Sequence, residues 1–200
     1  DELVVYIADF ANDRISVWSR PSATSPDWTN LATFGDSGPG ALAGPAGVAL
    51  SGDELTLYVA DYMNDRVTIW SRPASDGQDW EFISEFGASG TYLGEFDGPR
   101  SLALSADELT MYIADSNNGR ISIWRRLNTG STEWANRTTF GSKGTGPYEL
   151  SQPMDLRLSA DELTLYLADS ENFRVSIWSR SDTSRMDWNA RARFGTQGVG

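Results

Sequence analysis

DELTLYVADYMNDRVTIWSRPASDGQDWEFISEFG, residues 53–87, decides the fold because the chain contains it four times. The copies open at Asp1, Asp53, Asp107 and Asp161, and each reaches a Phe-Gly pair at the same offset without a gap: Phe34-Gly35, Phe86-Gly87, Phe140-Gly141 and Phe194-Gly195. A period of 52 to 54 residues signals stacked supersecondary units, none of which can bury its apolar face alone. The repeats are expected to run 1–52, 53–106, 107–160 and 161–200 within one domain.

Inside the unit, a turn of small and acidic residues such as Ser51-Gly52-Asp53-Glu54 precedes Leu55 to Ala60. In that stretch Leu55, Leu57 and Val59 fall on one face, and Tyr58 and Ala60 on the other. A strand apolar on both faces is covered on both faces. Asp61 to Asp65 reads as a hairpin loop leading into Arg66 to Arg72, which alternates with period two. A variable polar loop then ends at a Trp ten residues after the previous one, giving Trp18/Trp28, Trp70/Trp80, Trp124/Trp134 and Trp178/Trp188. From that Trp a further strand runs to the Phe-Gly. A Gly-rich link follows, and Pro45, Pro99 or Pro153 starts a short strand carrying Val48 to Leu50, Leu102 to Leu104 or Leu156 to Leu158. Pro is tolerated at the first residue of a strand. Four short strands per repeat, no helix and burial on both faces predict an all-β fold, a β-propeller of four-stranded antiparallel blades.

The recurring residues resemble the NHL-repeat family, in which Tyr-Val-Ala-Asp precedes an Asn-x-Arg hairpin. Tyr58 to Asp61 with Asn64 and Arg66 carries the pattern here. It recurs at Tyr6, Asp9, Asn12 and Arg14, at Tyr112, Asp115, Asn118 and Arg120, and at Tyr166, Asp169, Asn172 and Arg174. The resemblance covers the whole chain, with extra length in the variable loops; the SADELTLYVA turn is also similar to that of YVTN-type surface propellers. The family implies a ring of about six blades, so these four repeats are expected to be completed by further repeats or by another chain.

The net charge of -12 would repel a nucleic-acid backbone, which argues against nucleic-acid binding. With no Cys and no His, disulfides, thiolate nucleophiles and the commonest general base and metal ligand are all absent. No apolar run reaches the length of a transmembrane segment. Fifteen of the sixteen cations are Arg, which suits fixed planar pairings.

The Asp-x-x-Asn-x-Arg residues (Asp9, Asn12, Arg14, Asp61, Asn64, Arg66, Asp115, Asn118, Arg120, Asp169, Asn172 and Arg174) can be read as a hard-oxygen Ca²⁺ site or as a clasp across each hairpin. Fourfold repetition favours the structural motif, because a site usually needs asymmetry. Binding is instead expected where the copies differ, in the hairpin loops: Phe10, Asp13, Tyr62, Met63, Asp65, Asn117, Glu171 and Phe173. The Trp pairs read as cross-strand packing on an outer blade surface. Asn136 begins the single Asn-x-Thr glycosylation pattern considered.

These readings lead to an expected non-catalytic propeller scaffold, secreted or at the cell surface. It would bind proteins or glycans or self-assemble, with no cofactor apart from a conceivable Ca²⁺ and no metal site. Two alternatives stay open. One is a structural subunit of an extracellular fibre or surface layer. The other is a metal-dependent, lactonase-like six-bladed enzyme whose site lies partly in other repeats.

Overall fold

The computed structural model describes residues 3–74 and 79–196. Asp1 and Glu2, the tip of the second variable loop at 75–78 and residues 197–200 lie outside them. All the regular elements are strands, apart from short 3-10 turns in the hairpins.

The first sheet contains β1 (Leu3–Asp9), β2 (Arg14–Arg20) and β3 (Thr29–Phe34) in that order. The second contains β4 (Pro45–Leu50), β5 (Thr56–Asp61), β6 (Arg66–Ser71) and β7 (Glu81–Phe86), the third β8 (Pro99–Leu104), β9 (Thr110–Asp115), β10 (Arg120–Arg125) and β11 (Ala135–Phe140). In the following link β12 (Ser142–Lys143) and β13 (Glu149–Leu150) form a small parallel pair. The last sheet contains β14 (Pro153–Leu158), β15 (Thr164–Asp169), β16 (Arg174–Ser179) and β17 (Asn189–Phe194). Neighbouring strands within all four sheets run antiparallel in sequence order, the meander of a β-propeller blade. The first sheet begins with the counterpart of β5, so among the described residues it has no strand equivalent to β4.

The hydrophobic cores sit between blades rather than inside them. One joins Ile15, Val17 and Phe34 of the first sheet to Leu57, Val59, Trp70 and Trp80 of the second. Another joins Tyr58, Val67 and Phe86 to Met111, Trp124 and Trp134, and a third joins Tyr112 and Ile121 to Leu165, Trp178 and Trp188. Two-faced apolar strands require this, since each face has only the next blade to cover it.

At each seam one stack recurs. Tyr6 meets Trp80 edge-on at 5.8 Å, Tyr58 meets Trp134 at 5.7 Å and Tyr112 meets Trp188 at 5.6 Å. Phe34, Phe86 and Phe140 lie nearly parallel to the same three Trp rings, and Arg72, Arg126 and Arg180 cover them, each 5.0 Å from the ring centroid. Trp80, Trp134 and Trp188, the second Trp in three of the four pairs, are therefore inter-blade wedges, where outer-surface packing was expected, whereas Trp28 is exposed. Arg126 is fixed from behind by a 2.8 Å bond from Nε to the Glu108 carbonyl, and Arg72 and Arg180 bond the carbonyls of Glu54 and Glu162 in the same way.

Burial in these seams raises the phenol pKa of Tyr6, Tyr58 and Tyr112 above the ordinary 10.0, that of Tyr58 to about 12. The unfolded chain then loses those protons first, so the stabilisation is complete below about pH 10 and disappears as the pH rises through about 12. Spectrophotometric titration at alkaline pH should show a late phenolate fraction that Tyr58→Phe reduces, with the urea midpoint falling over the same interval. Trp134→Ala should cost about 3–5 kcal/mol in urea unfolding followed by fluorescence.

Candidate functional site

Each hairpin is closed by an Asp ending one strand and an Arg starting the next, paired in register as Asp61 with Arg66. Arg66 Nε donates to Asp61 at 2.8 Å, Arg120 to Asp115 at 2.7 Å and Arg174 to Asp169 at 2.6 Å, and these three carboxylates are fully buried. Each also accepts from its Asn (Asn64, Asn118 or Asn172) and from a backbone N–H of the preceding link, at Ala43, Asp97 or Ser151. The Arg reaches the same link through its outer nitrogens, Arg66 to the Ala41 carbonyl and Arg174 to those of Gly146 and Glu149. In the first sheet Asp9 is partly exposed and accepts from Arg14 and Asn12, which hold its carboxyl below the ordinary 3.8.

The variable hairpin residues fall near the ends of these links. Asp13, Asp65 and Phe173 occupy a left-handed position with φ of 53°, where the third copy has Gly119. Asp13 accepts from the Gly44 N–H and Asp65 from that of Gly98, both at 2.7 Å, so each ties its hairpin to the start of the next blade. Asn117 donates to Asp97 and Glu171 accepts from Ser151. Phe10 and Met63 pack near Gly44, Tyr62 packs against Gly98, and the Phe10 and Tyr62 rings stand 5.9 Å apart. Met63 and Phe173 are exposed. Asn136 lies in β11 with its side-chain amide atoms buried.

Tyr62 leads to residues that the sequence reading passed over. The Arg100 guanidinium lies over its ring at 4.3 Å, a cation–π contact, and Arg100 Nε is buried with no hydrogen-bond partner among the described residues. Arg100 belongs to β8, which together with β1, β4 and β14 lines a cavity of about 460 Å³ on the concave side of the sheets. Tyr6, Arg100, Ser101, Met154, Asp155 and Arg157 contribute its larger and polar side chains.

An irregular register near the start of each inner strand (at Pro45/Gly47, Pro99/Leu102 and Pro153/Asp155) re-aims these residues. Ser101 Oγ, itself buried, donates to Asp155 Oδ1 at 2.7 Å, and Arg157 Nη1 donates to the same oxygen at 3.0 Å. Asp155, which lines the cavity, is therefore held by a hydroxyl from one blade and a cation from its own. Gly47 is the counterpart of Ser101, and any Cβ there would run into the Arg100 carbonyl. A carboxylate, two guanidiniums and a hydroxyl in one concave site can orient a polyhydroxylated ligand, accept a proton and stabilise developing negative charge. Among the described residues no group of three or more acidic, His or Cys side chains is placed to hold a metal ion.

No protein-family model and no curated protein matches the chain. Among solved structures it is similar to the periplasmic gluconolactonase PpgL of Pseudomonas aeruginosa, with a TM-score of 0.68 at 15% identity over 96% of this chain and 51% of that one. A Bacteroides uniformis protein assigned provisionally as a 6-phosphogluconolactonase gives 0.67 at 15% identity, over 98% of this chain and 55% of that one. The Swd1 β-propeller domain of Myceliophteria thermophila gives 0.58 at 11% identity, over 92% of this chain and 54% of that one. The chain is a β-propeller fold and spans about half the length of these structures.

The expectation that the chain is not an enzyme is corrected here. It rested on the missing His, yet propellers with this blade arrangement carry lactonase names. Lack of His removes one class of base and leaves carboxylate and guanidinium chemistry intact, and the concave face supplies both. Gly47→Ala should separate β4 from β8 and cost about 1–3 kcal/mol in denaturant unfolding.

Proposed function

We propose that this chain forms part of a lactonase-like propeller whose concave cavity hydrolyses a small polyhydroxylated ring ester. The observation that carries the reading is the Ser101–Asp155–Arg157 arrangement beside Arg100, at positions where the repeats differ. The lactonase names of two structural relatives support it.

In this reading Asp155 takes a proton from water as its oxygen bonds to the ester carbonyl carbon. Arg100 faces the resulting oxyanion, the ring C–O bond breaks, and the Asp155 proton passes to the leaving alkoxide, giving the open hydroxy acid. Ser101 and Arg157 position the carboxylate. Tyr62 supports the Arg100 guanidinium from beneath through its ring. Among the described residues the donor set does not fit the divalent metal of the lactonase alternative, so no step passes through one. The NHL-like hairpin pattern and a secreted or surface location belong to the same reading, the latter supported by the periplasmic assignment of the Pseudomonas protein. Among the described residues no helix is long and apolar enough to cross a membrane.

In a pH-stat assay with glucono-δ-lactone, the protein should exceed the spontaneous rate. Asp155→Asn should lower kcat by about 10²–10⁴-fold with an unchanged circular dichroism spectrum. A rate equal to the spontaneous one, or an Asp155→Asn variant as fast as the parent, would overturn the proposal.

A further inference from the structure

The outer strand of each blade carries a one-residue bulge, whose extra residue is Leu31, Ile83, Arg137 or Arg191. A bulge re-aims that side chain. In the last sheet Arg191 Nε donates to Ser179 Oγ at 2.7 Å, so the bulge residue stands beside the last residue of the neighbouring strand. The counterparts of Ser179 are Ser19, Ser71 and Arg125. The third blade alone puts Arg at both positions, Arg125 and Arg137, where the others set a Ser beside Leu31, Ile83 or Arg191.

Two guanidiniums side by side repel, and like charges on paired strands destabilise a sheet. Among the described residues neither Arg125 nor Arg137 has a hydrogen bond or an ion pair. The acids nearby are engaged elsewhere. Asp107, whose carboxylate senses the Arg125 charge, is held by Ser105 Oγ and the Leu109 N–H. Glu108 accepts from the Gly52 N–H and from Arg126. In the loop that supplies Met186, Asp182 and Asp187 pair with Arg185.

Arg125, Arg126 and Arg137 line a cavity of about 410 Å³ between the third and fourth blades, together with Leu109, Leu127 and Met186. Leu127 is 84% exposed, at a position where the other copies have Pro21, Pro73 and Ser181. We propose that this cavity binds an amphiphilic carboxylate, its head bridging Arg125 and Arg137 and its apolar tail covering Leu109, Leu127 and Met186. A planar guanidinium matches the two oxygens of a carboxylate, and a tail that removes Leu127 from water adds apolar burial. The seam between the second and third blades supplies an internal comparison. Its cavity has Ser71, Ile83 and Thr132 at the positions of Arg125, Arg137 and Met186, so the cation pair is missing there. The inference does not rest on the lactonase reading, because these residues lie on the outer strands and not on the inner strands that carry Asp155.

Octanoate is a suitable probe for isothermal titration of the chain, and it should occupy one site. Acetate, without the tail, and octan-1-ol, without the charge, should each bind about tenfold more weakly or worse. Arg125→Gln and Arg137→Gln should each weaken octanoate by about tenfold or more, with unchanged circular dichroism spectra. In the absence of octanoate Arg137→Gln should raise the urea midpoint, since one of two like charges is gone; adding octanoate should raise the midpoint of the parent and not that of the variant. Failure of octanoate to bind would overturn the proposal. So would octanoate binding as tightly to Arg137→Gln as to the parent, or octan-1-ol binding as tightly as octanoate.

Discussion

The structure depends on a flat aromatic ring trapped between two sheets. Trp80, Trp134 and Trp188 each fill the gap between consecutive blades, with a Phe against one side, a Tyr at the edge and an Arg over the other. A ring of this size buries a large apolar area in a fixed orientation, so it sets both the spacing and the angle between sheets. The sheets are apolar on both faces and have no core of their own. Their order therefore follows from the wedges that join them, and stability is a nearest-neighbour property of the array.

This separates what must stay constant from what can vary. Seam residues lie on the second, third and fourth strands of each blade, and the hairpin clasps lie at one end. The inner strands contribute Val48, Leu102 and Leu156 to the cores, but the residues around these positions face the cavity. Arg100, Ser101, Asp155 and Arg157 can differ from their counterparts without disturbing a single wedge. The candidate site thereby lies on the one strand of each blade that the seams use least.

The blades, the strands and the Asp–Arg register could be read in the sequence because four copies average out local ambiguity. Asp61, Asn64 and Arg66 recur at constant spacing, and a short hairpin leaves them little freedom except to meet. The Trp pairs were harder, since a ten-residue spacing fits cross-strand neighbours as well as partners on adjacent blades, and only the three-dimensional stacking decides between them. The cavity residues were missed for a different reason. In the strands PAGVAL, PRSLAL and PMDLRL the eye follows the shared apolar pattern. The informative signal was the disagreement between copies at 46/100/154, 47/101/155 and 49/103/157, with charges appearing in strands otherwise buried. A register irregularity then turns those side chains toward the cavity, and sequence alone does not announce it. Tyr62 and Phe10 were legible as exposed loop aromatics, but the role of Tyr62 as a platform for Arg100 required coordinates.

The hairpin clasp has one more consequence. The carboxylates of Asp61, Asp115 and Asp169 are fully buried, and each needs donors from two sources, its own hairpin and the link arriving from the blade before. The clasp is a conjunction: neither source alone is enough. A blade that folds without its predecessor's link strands a charge short of partners, a state that costs several kcal/mol. Half-assembled arrangements are thus penalised electrostatically as well as by exposed apolar surface, and neighbouring blades lock in together or not at all.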